Sequence, residues 1–344
     1  MASESIAGRK ARPSWFTQLA AFGRADRRKA LIQILTTLIP YAGLWAAMVV
    51  TVRQRLPYVL TLGLAVVAAG FLVRTFILFH DCCHGSFFTS RRANRIFGIL
   101  TGILVFTPFD AWRLAHAGHH ATAGDLDRRG TGDVFTMTVA EYRAASWWKR
   151  LGYRFFRHPL VMFGIGPFFL FVLSQRIMVK GAGKGARASL WIANVGLLLI
   201  LVLAALTIGL PAYVMIQLPV IMMAGTVGIW LFYVQHQFEG VYWARHTAWD
   251  PLLAALEGSS YYQMPKLLQW FSGNIGLHHV HHLRATIPNY HLQAAYDAIP
   301  ALQAVQPLTL RRSLKSLTLR LWDEQGGRLV GFREARELEL HGSA

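Results

Sequence analysis

The sequence is poor in charge for its length. Of its 344 residues 15% are charged and 54% are hydrophobic, whereas a soluble domain carries about 25% charged residues. This composition indicates a membrane protein. Because no proline- or serine-rich linker divides the chain, we expect one membrane domain with cytosolic parts interleaved. The predicted divisions are a basic cytosolic segment, the membrane domain and a cytosolic amphipathic tail, at residues 1–30, 31–300 and 301–344.

Cysteine is almost missing. Cys82 and Cys83 are the only two, and they are neighbours. Adjacent cysteines rarely form a structural disulfide. Without a Cys-x-x-Cys pair, the sequence lacks the usual zinc or iron–sulfur motifs as well. Cysteine therefore predicts neither a disulfide framework nor a metal site here.

Acidic residues are scarce too: 17 Asp and Glu stand against 35 Lys and Arg, for a net charge of +18. Such a balance is one sign of nucleic-acid binding. However, the basic residues lie beside apolar segments, for example from Arg24 to Lys29 and from Arg176 to Arg187. Clusters in that position are typical of cytosolic flanks that face anionic lipid. We therefore expect membrane lipids, and no nucleic acid, as partners.

Long apolar runs are abundant. Four of them approach or exceed the roughly 20 residues that a membrane-spanning helix needs; they are Leu31–Val50, Pro57–Phe79, Leu190–Gly209 and Pro211–Tyr233. Two shorter stretches, Ile96–Phe109 and His158–Leu173, are interrupted by Gly or Pro. These two predict interfacial or re-entrant segments. The fold class expected is an all-α integral membrane protein with four transmembrane helices and a cytosolic helical cap.

Flanking charge predicts the orientation of the spans. The N-terminal basic cluster and the basic segment 110–188 should lie in the cytosol, and the uncharged turn at Gly209–Pro211 should lie outside. Arg53 and Arg55, in the other external turn, oppose the rule mildly. Four crossings place both termini in the cytosol, and we expect a bacterial inner membrane. After Ala301, recurring leucines suit an amphipathic helix on the domain or the membrane surface.

Histidine is unusually frequent, with fourteen residues. Eight of them form three short motifs in which residues three or four apart share one face of a helix, and a ninth follows the fourth span. They are His80 and His84 in HDCCH, His116, His119 and His120 in HAGHH, His236 in VQHQFEG, and His278, His281 and His282 in HHVHH. All four sets follow spans in a way that brings them to the cytosolic side, so they can converge on one site.

The number of histidines limits the kind of metal centre. Nine exceed the four ligands of a tetrahedral zinc ion, but they match two metals with four or five nitrogens each. Imidazole suits zinc, copper, iron and nickel alike. Soluble di-iron enzymes use Glu-x-x-His motifs, and these are absent. A single such histidine motif is more often a chance pattern, but three sets on one membrane face predict a histidine-rich dimetal site.

These motifs resemble the three histidine boxes of the membrane fatty acid desaturases. Four local phrases are similar to the Δ12 (omega-6) acyl-lipid subgroup: FYVQHQFEG, EGSSYYQMP, WFSGNIGLHHVHHLRATIPNY and GDLDRRGTGDVFTMTVAEY. The resemblance covers about residues 30–300. It implies that the nine histidines ligate two iron ions and that O₂ is a co-substrate. The implied reaction inserts a cis double bond into a fatty acyl chain carried by a lipid or a thioester.

The resemblance has a gap near His236. Some relatives have an asparagine four residues before this histidine, which contacts the metal through water, but here the position is Phe232. Asn274, four residues before His278, is a candidate for a similar purpose. Four carboxylates are candidates for orienting the ligand N–H groups; they are Asp81, Asp125, Asp127 and Glu239.

Electrons for such a reaction must come from outside. The chain has no flavin or nicotinamide fingerprint and no HPGG signature of a cytochrome b5 domain, so a ferredoxin or small cytochrome is implied. Two other functions stay open. A membrane di-iron hydroxylase or ketolase acting on alkanes, sterols or carotenoids shares the site, and a metal transporter also uses membrane histidines, although near the bilayer midplane.

Overall fold

The computed structural model describes residues 12–130, 133–177 and 183–341. Residues 1–11 of the predicted basic segment, and part of the cluster from Arg176 to Arg187, lie outside this description. The α-helices, in chain order, are α1 (Arg27–Arg53), α2 (Tyr58–His84), α3 (Arg91–Leu104), α4 (Phe109–Thr122), α5 (Val139–Ala144), α6 (Trp147–Phe156), α7 (Lys184–Thr207), α8 (Leu210–His236), α9 (Pro251–Leu256), α10 (Lys266–Phe271), α11 (His278–Leu283), α12 (Asn289–Ala298), α13 (Pro300–Gln303), α14 (Leu310–Ser313) and α15 (Phe332–His341).

Shorter elements complete the described chain. The 3₁₀ helices are Ser14–Gly23, Ser174–Arg176, His246–Ala248 and Leu314–Leu317, and two π-helical stretches are Leu160–Ile165 and Phe168–Leu173. The strands are β1 (Tyr261–Gln263), β2 (Pro307–Thr309), β3 (Leu321–Asp323) and β4 (Arg328–Val330). β1 pairs with β2 in parallel, and β3 pairs with β4 as an antiparallel hairpin.

Four helices, α1, α2, α7 and α8, are long and apolar enough to cross a membrane. They confirm the four predicted stretches, and the helices extend further at most of their ends. With 27 residues each, α2 and α8 are about 40 Å long, against roughly 30 Å of hydrocarbon. Their last turns can therefore leave the apolar layer while the helices remain continuous.

Local sequence explains where the helices begin and end. The Asp26 carboxylate accepts hydrogen bonds from the backbone N–H groups of Arg28 and Lys29 and caps α1. α2 ends at His84 because Gly85 adopts a left-handed conformation with φ of +69°. This stop leaves His80 and His84 in the last two turns of α2.

The helix α2 is the centre of the bundle and packs against α1, α3 and α8. Its first half presents exposed apolar residues such as Val59 and Val66, as a lipid-facing surface would. Its second half is buried, and Leu72, Leu78 and Phe79 are at most 2% exposed. The C-terminal end of α2 is therefore enclosed by the rest of the protein.

The chain bends at or beside both shorter apolar stretches, and their interfacial or re-entrant position stays a prediction. The chain bends by 99° between α3 and α4, and by 57° between α6 and the helical segment Leu160–Arg176. Phe106, in the first bend, has a positive φ of 58°. The first bend directs α4, with three of the predicted histidines, towards the end of α2.

The prediction of one amphipathic helix after Ala301 is wrong. This tail forms α13, β2, α14, a 3₁₀ helix, the β3–β4 hairpin and α15. Its leucines do not share one face, because Leu308 is buried next to β1, Leu321 is buried in the hairpin and Leu314 is 58% exposed. Pro307 begins a strand and Gly327, with φ of +58°, turns the hairpin, so neither position supports a continuous helix.

Candidate metal centre

The nine histidines predicted from the sequence lie together at the ends of α2 and α8. They are contributed by α2 (His80, His84), α4 (His116, His119, His120), α8 (His236) and α11 (His278, His281, His282). Positions separated by two hundred residues in the sequence thus meet at one end of the helical bundle. This convergence was expected from the order of spans and motifs.

The nine side chains form two groups. In each group, one ligand atom per residue lies within 4.8 Å of the others. The five-histidine group is His80, His84, His116, His120 and His281. The four-histidine group is His119, His236, His278 and His282. Two such groups could each hold a metal ion, with five and four nitrogens.

Helical geometry explains how the motifs divide between the groups. Residues four apart differ by about 40° around a helix axis, and residues one apart by about 100°. His116 and His120 therefore point to the five-histidine group, while His119 between them points to the other. In α11, His278 and His282 share the four-histidine group and His281 points away from it. Each HxxHH motif thus contributes to both groups.

The distances between ring nitrogens fit metal coordination. His236 Nε2 lies 3.0 Å from His119 Nε2 and 3.0 Å from His278 Nε2. Similarly, His116 Nε2 lies 3.0 Å from His80 Nε2 and 3.1 Å from His120 Nε2. Two nitrogens bound to one ion at about 2.1 Å and at right angles are separated by about 3.0 Å. The described residues therefore have a spacing suitable for a shared cation.

Hydrogen bonds alone cannot satisfy these nitrogens. A neutral imidazole Nε2 carries either one hydrogen or one lone pair, so it can bond to one of two neighbouring nitrogens but not to both. His236 has two such neighbours, and its Nδ1 donates to the Gly258 carbonyl oxygen at 3.1 Å. That hydrogen on Nδ1 leaves the Nε2 lone pair directed into the group, where a cation would accept it.

Burial keeps the histidines of α11 neutral. Desolvation, followed by the neighbouring imidazoles, lowers the pKa of His278, His281 and His282 well below the ordinary value. Neutral imidazole is the form that binds metal ions. His279 does not join either group and packs against the rings of Tyr261 and Tyr296, as its position on the helix predicts.

Asp81 connects the five-histidine group to distant elements. Its carboxylate lies 3.3 Å from His80 Nδ1 and accepts hydrogen bonds from the backbone and side-chain N–H groups of Asn289, at 2.6 and 2.8 Å. The Asn289 amide also pairs with Gln33 of α1. Of the four carboxylates predicted to orient the histidines, Asp81 has a position suited to that role. Sequence reasoning assigned no role to Asn289, although it lies near the end of the phrase WFSGNIGLHHVHHLRATIPNY.

The orienting role predicted for the other three carboxylates is not supported. Asp125 binds His246 Nδ1 at 2.7 Å, Asp127 binds Arg245, and Glu239 binds Lys315 at the surface. In the described part of the chain, no hydrogen bond joins these three to the nine histidines. Each carboxylate instead has a basic partner, which lies on a loop (Arg245) or in a 3₁₀ helix (His246 and Lys315), although each carboxylate is close in sequence to a histidine motif.

Asn274 lies in the turn before α11 with φ of +58°, a conformation that asparagine tolerates. Its backbone N–H donates to the Gln269 carbonyl and its carbonyl accepts from Leu277. Its predicted contact with metal through water stays a prediction. Phe232, at the position where some relatives have asparagine, packs its ring against His119 and His236 at 5.0 and 5.5 Å.

A small cavity beside the four-histidine group includes a carboxylate that the sequence analysis missed. The cavity, about 10 Å³, is lined among others by Asp133, His119, His236 and Gln237. The Nδ1 atom of His119 is buried and has no protein partner among the described residues. A space of this size holds about one water molecule. Asp133 belongs to the phrase GDLDRRGTGDVFTMTVAEY, which by itself indicates no role for it.

The fold and the site together define a class: a helical membrane protein with a polyhistidine centre of metal-binding geometry. The sequence model of one family, described as "Fatty acid desaturase", matches residues 54–312. A fatty acid desaturase of Bacillus subtilis is 44% identical over 323 residues, which cover 94% of this chain and 91% of the relative. The chain belongs to the fatty acid desaturase family.

More distant relatives have narrower names. An sn-1 oleoyl-lipid 12-desaturase of Picosynechococcus is 23% identical and the aligned region covers 79% of this chain and 76% of the relative. An sn-1 acyl-lipid omega-3 desaturase (ferredoxin) of Synechocystis is 25% identical, with 65% and 63% covered. As a member of this family, the chain is an enzyme that acts on fatty acyl substrates. It is also a membrane protein, and the resemblance had implied both properties.

Proposed function

We propose that this chain is an O₂-dependent desaturase that inserts a cis double bond into a lipid-linked acyl chain, at the Δ12 (omega-6) position. The observation that carries the proposal is the convergence of nine histidine nitrogens, as five and four, at the ends of two spanning helices. The Δ12 position is supported by the four local phrases and by relatives named as oleoyl-lipid 12-desaturases. The name of the Bacillus subtilis relative gives no position.

The nine histidines would hold two iron ions, one in each group. When bound, the iron pair and O₂ would supply the oxidant that removes two hydrogens from an unactivated methylene pair, which no amino-acid side chain can do. The protein's own residues supply the surroundings. Asp81 fixes the ring of His80, Gly258 fixes that of His236, and six of the nine histidine side chains are buried.

An acyl chain would approach the site from the membrane side. The ring of Trp112 stacks on His116 with centroids 4.2 Å apart, and it also contacts Phe76 and Phe79. These apolar rings extend from the five-histidine group into the buried half of α2. They would give the hydrocarbon a dry path to the metals and hold it close to the reacting atoms.

The site and both chain termini would face the cytosol, in a multi-pass arrangement of four crossings. An external donor, a ferredoxin or a small cytochrome, would deliver the electrons there. One relative's name includes ferredoxin. The net charge of +18 would favour the approach of an acidic donor, because opposite charges accelerate association.

The test is lipid profiling of a host that makes no polyunsaturated fatty acids, with double-bond positions assigned by mass spectrometry. Expression of the chain should produce dienes with the new bond at Δ12. Monoenes alone would move the assignment to Δ9, a new omega-3 bond would move it to that position, and hydroxylated products would contradict desaturation in favour of the hydroxylase.

A matched pair of histidine variants should accompany the profile. His281→Ala removes a nitrogen of the five-histidine group and should abolish the product with the protein still in the membrane. His246→Ala changes a histidine that is bound to Asp125 at the surface and should leave the product at wild-type level. Product formation by His281→Ala would contradict its assignment as a ligand.

A further inference from the structure

A second cavity lies away from the histidines, between α5, α6 and α15. Its volume is about 410 Å³, within the range of small-molecule sites, roughly 300–1,000 Å³. It is lined by Tyr142, Arg143, Trp147, Arg150, Leu151, Arg154, Phe332, Ala335 and Arg336. Four of these nine residues are arginines, and no Asp or Glu is among the described residues that line it.

Two of the arginines are held in place by the cavity wall. Arg143 donates from Nη2 to the Ala335 carbonyl at 2.7 Å, and Arg154 donates from Nε to the Tyr142 hydroxyl at 2.6 Å. Arg154 also lies over the Phe332 ring, 4.9 Å from its centroid. These contacts leave guanidinium N–H groups available, because each arginine has five N–H donors.

Three acidic residues of α5 and α15 have basic partners outside the cavity lining. Glu141 binds Arg129, and Glu334 binds Arg328 at 2.8 Å. Glu337 binds Arg333, one turn earlier on α15. Arg150 and Arg336 are exposed to solvent at the cavity. The positive charge of the cavity is therefore not balanced by its own lining, and an anion with several oxygens would be suited to it.

The helix α6 gives this cavity an apolar neighbour. Trp147, Trp148, Leu151 and Phe155 are 52–65% exposed, and on a helical projection they occupy one arc of about 100°. Arg150 and Arg154 are adjacent to that arc. An apolar arc bordered by arginines and containing tryptophan is typical of a helix that lies in the membrane interface.

The position of α6 supports contact with lipid on the side of the histidines. Directly after α6, Arg157 donates hydrogen bonds to Tyr233 and Gln237, next to His236 at the end of α8. The chain then continues as the π-helical stretch Leu160–Ile165, where the Phe163 carbonyl accepts a hydrogen bond from Thr226 within α8. The helix α6, which lines the cavity, is thus connected to α8 by the hydrogen bonds of the segment that follows it.

We propose that this cavity binds the phosphate headgroup of an anionic phospholipid, with the acyl chains lying along the apolar arc of α6. Arginine binds phosphate oxygens in pairs through its planar N–H groups, and the arc provides the apolar surface that a soluble phosphate would not need. The site would hold α6 and the tail at the membrane surface. This inference goes beyond the desaturase function and does not depend on it.

The test uses the full-length protein purified in a non-ionic detergent. Native mass spectrometry would measure the affinity for dioctanoyl phosphatidylglycerol and for dioctanoyl phosphatidylcholine. The double variant Arg150→Ala/Arg336→Ala should weaken phosphatidylglycerol binding by about tenfold or more and leave phosphatidylcholine binding unchanged. The control, Arg311→Ala/Arg312→Ala, removes two exposed arginines of α14 and should change neither affinity by more than about twofold.

Three results would overturn the proposal. Equal phosphatidylglycerol affinity in the double variant and the wild type would exclude the arginines from lipid binding. Displacement of the lipid by millimolar inorganic phosphate or coenzyme A would identify a soluble phosphate as the ligand. Weaker binding of a ferredoxin with unchanged lipid affinity would assign the arginines to an electron donor. Matching thermal unfolding midpoints for the variants would show that both are folded.

Discussion

A single carboxylate, Asp81, connects the histidines of α2 to the outer shell of the protein. It contacts His80 Nδ1 and receives two hydrogen bonds from Asn289 of α12. A carboxylate in this position favours the tautomer with hydrogen on Nδ1 and directs the Nε2 lone pair to a metal. The orientation of His80 therefore depends on a residue two hundred positions further along the chain.

Replacement of Asp81 by Asn should reduce iron content and desaturase activity by about 10–100-fold, because a partner of this kind tunes the metal affinity of its histidine. The variant keeps the side-chain size, so the protein should still be inserted in the membrane. Iron per chain and acyl product per chain are the measurements. Asp127→Asn is the control, since Asp127 is exposed and binds Arg245; an equal loss in both variants would contradict the role of Asp81.

At the level of single residues, the sequence predicted which histidines form the site. It did not predict how they divide between the five-histidine and the four-histidine group. Spacing identified eight of them, because helical periodicity places residues three and four apart on one side, and His236 was identified by its position after the fourth span. It could not assign His119 and His281 to different groups, since that depends on how α4 and α11 are oriented. Asp125 and Asp127 were equally plausible partners by position, and the loops that carry Arg245 and His246 to them were not visible in the sequence.

At the level of structural elements, Arg157, directly after α6, joins the C-terminal tail to the end of α8 beside the metal centre. Arg157 is buried, at 1% exposure. Its guanidinium donates to the Leu319 carbonyl, to Tyr233 and Gln237 of the α8 end, and to Thr136. Because Gln237 follows His236 directly, this one side chain connects the C-terminal segment to the four-histidine group.

Arg157→Met should destabilise the protein, since it removes the hydrogen bonds of a buried guanidinium, including the one to Gln237 Oε1. We expect the thermal unfolding midpoint in detergent to fall by about 5 °C or more. Arg311→Met, at an exposed position of α14, should leave the midpoint within about 1 °C of the wild type. A midpoint for Arg157→Met equal to that of the control would show that the buried guanidinium is not structural.

The elements also show where sequence patterns are sufficient. Hydropathy located all four spanning helices, because a bilayer requires a long apolar run whatever the tertiary contacts. No such physical requirement determines the structure of the tail after Ala301. The spacing of Leu308, Leu314 and Leu321 is compatible with a helix, but pairing of β2 with β1 and closure of the β3–β4 hairpin decided the outcome. Those contacts involve partners that periodicity does not reveal.

For the whole molecule, charge and helix order together predict orientation. Both histidine-bearing helix ends, His84 of α2 and His236 of α8, contribute to the site, so α2 and α8 end on the same side of the bundle. Basic residues before α1 and before α7 should hold that side in the cytosol. With four crossings, both termini should lie there too.

Reporter fusions would test this orientation in a bacterial host. A cytosol-active fluorescent protein at either terminus should be bright, and alkaline phosphatase at the same positions should be inactive. The reverse pattern is expected for reporters inserted at Gly209, between α7 and α8. An active phosphatase at either terminus would contradict the proposed topology and would place the histidines, or one end of the chain, outside the cytosol.

The central claim, that nine histidines form two metal sites, is tested most directly by metal analysis of the purified full-length protein. Wild-type protein should contain about two irons per chain, and His116→Ala and His119→Ala should each retain about one, because they remove a ligand from different groups. One iron per chain in the wild type, or zinc in place of iron, would contradict two histidine-bound irons. Wild-type iron content in both variants would contradict them as well.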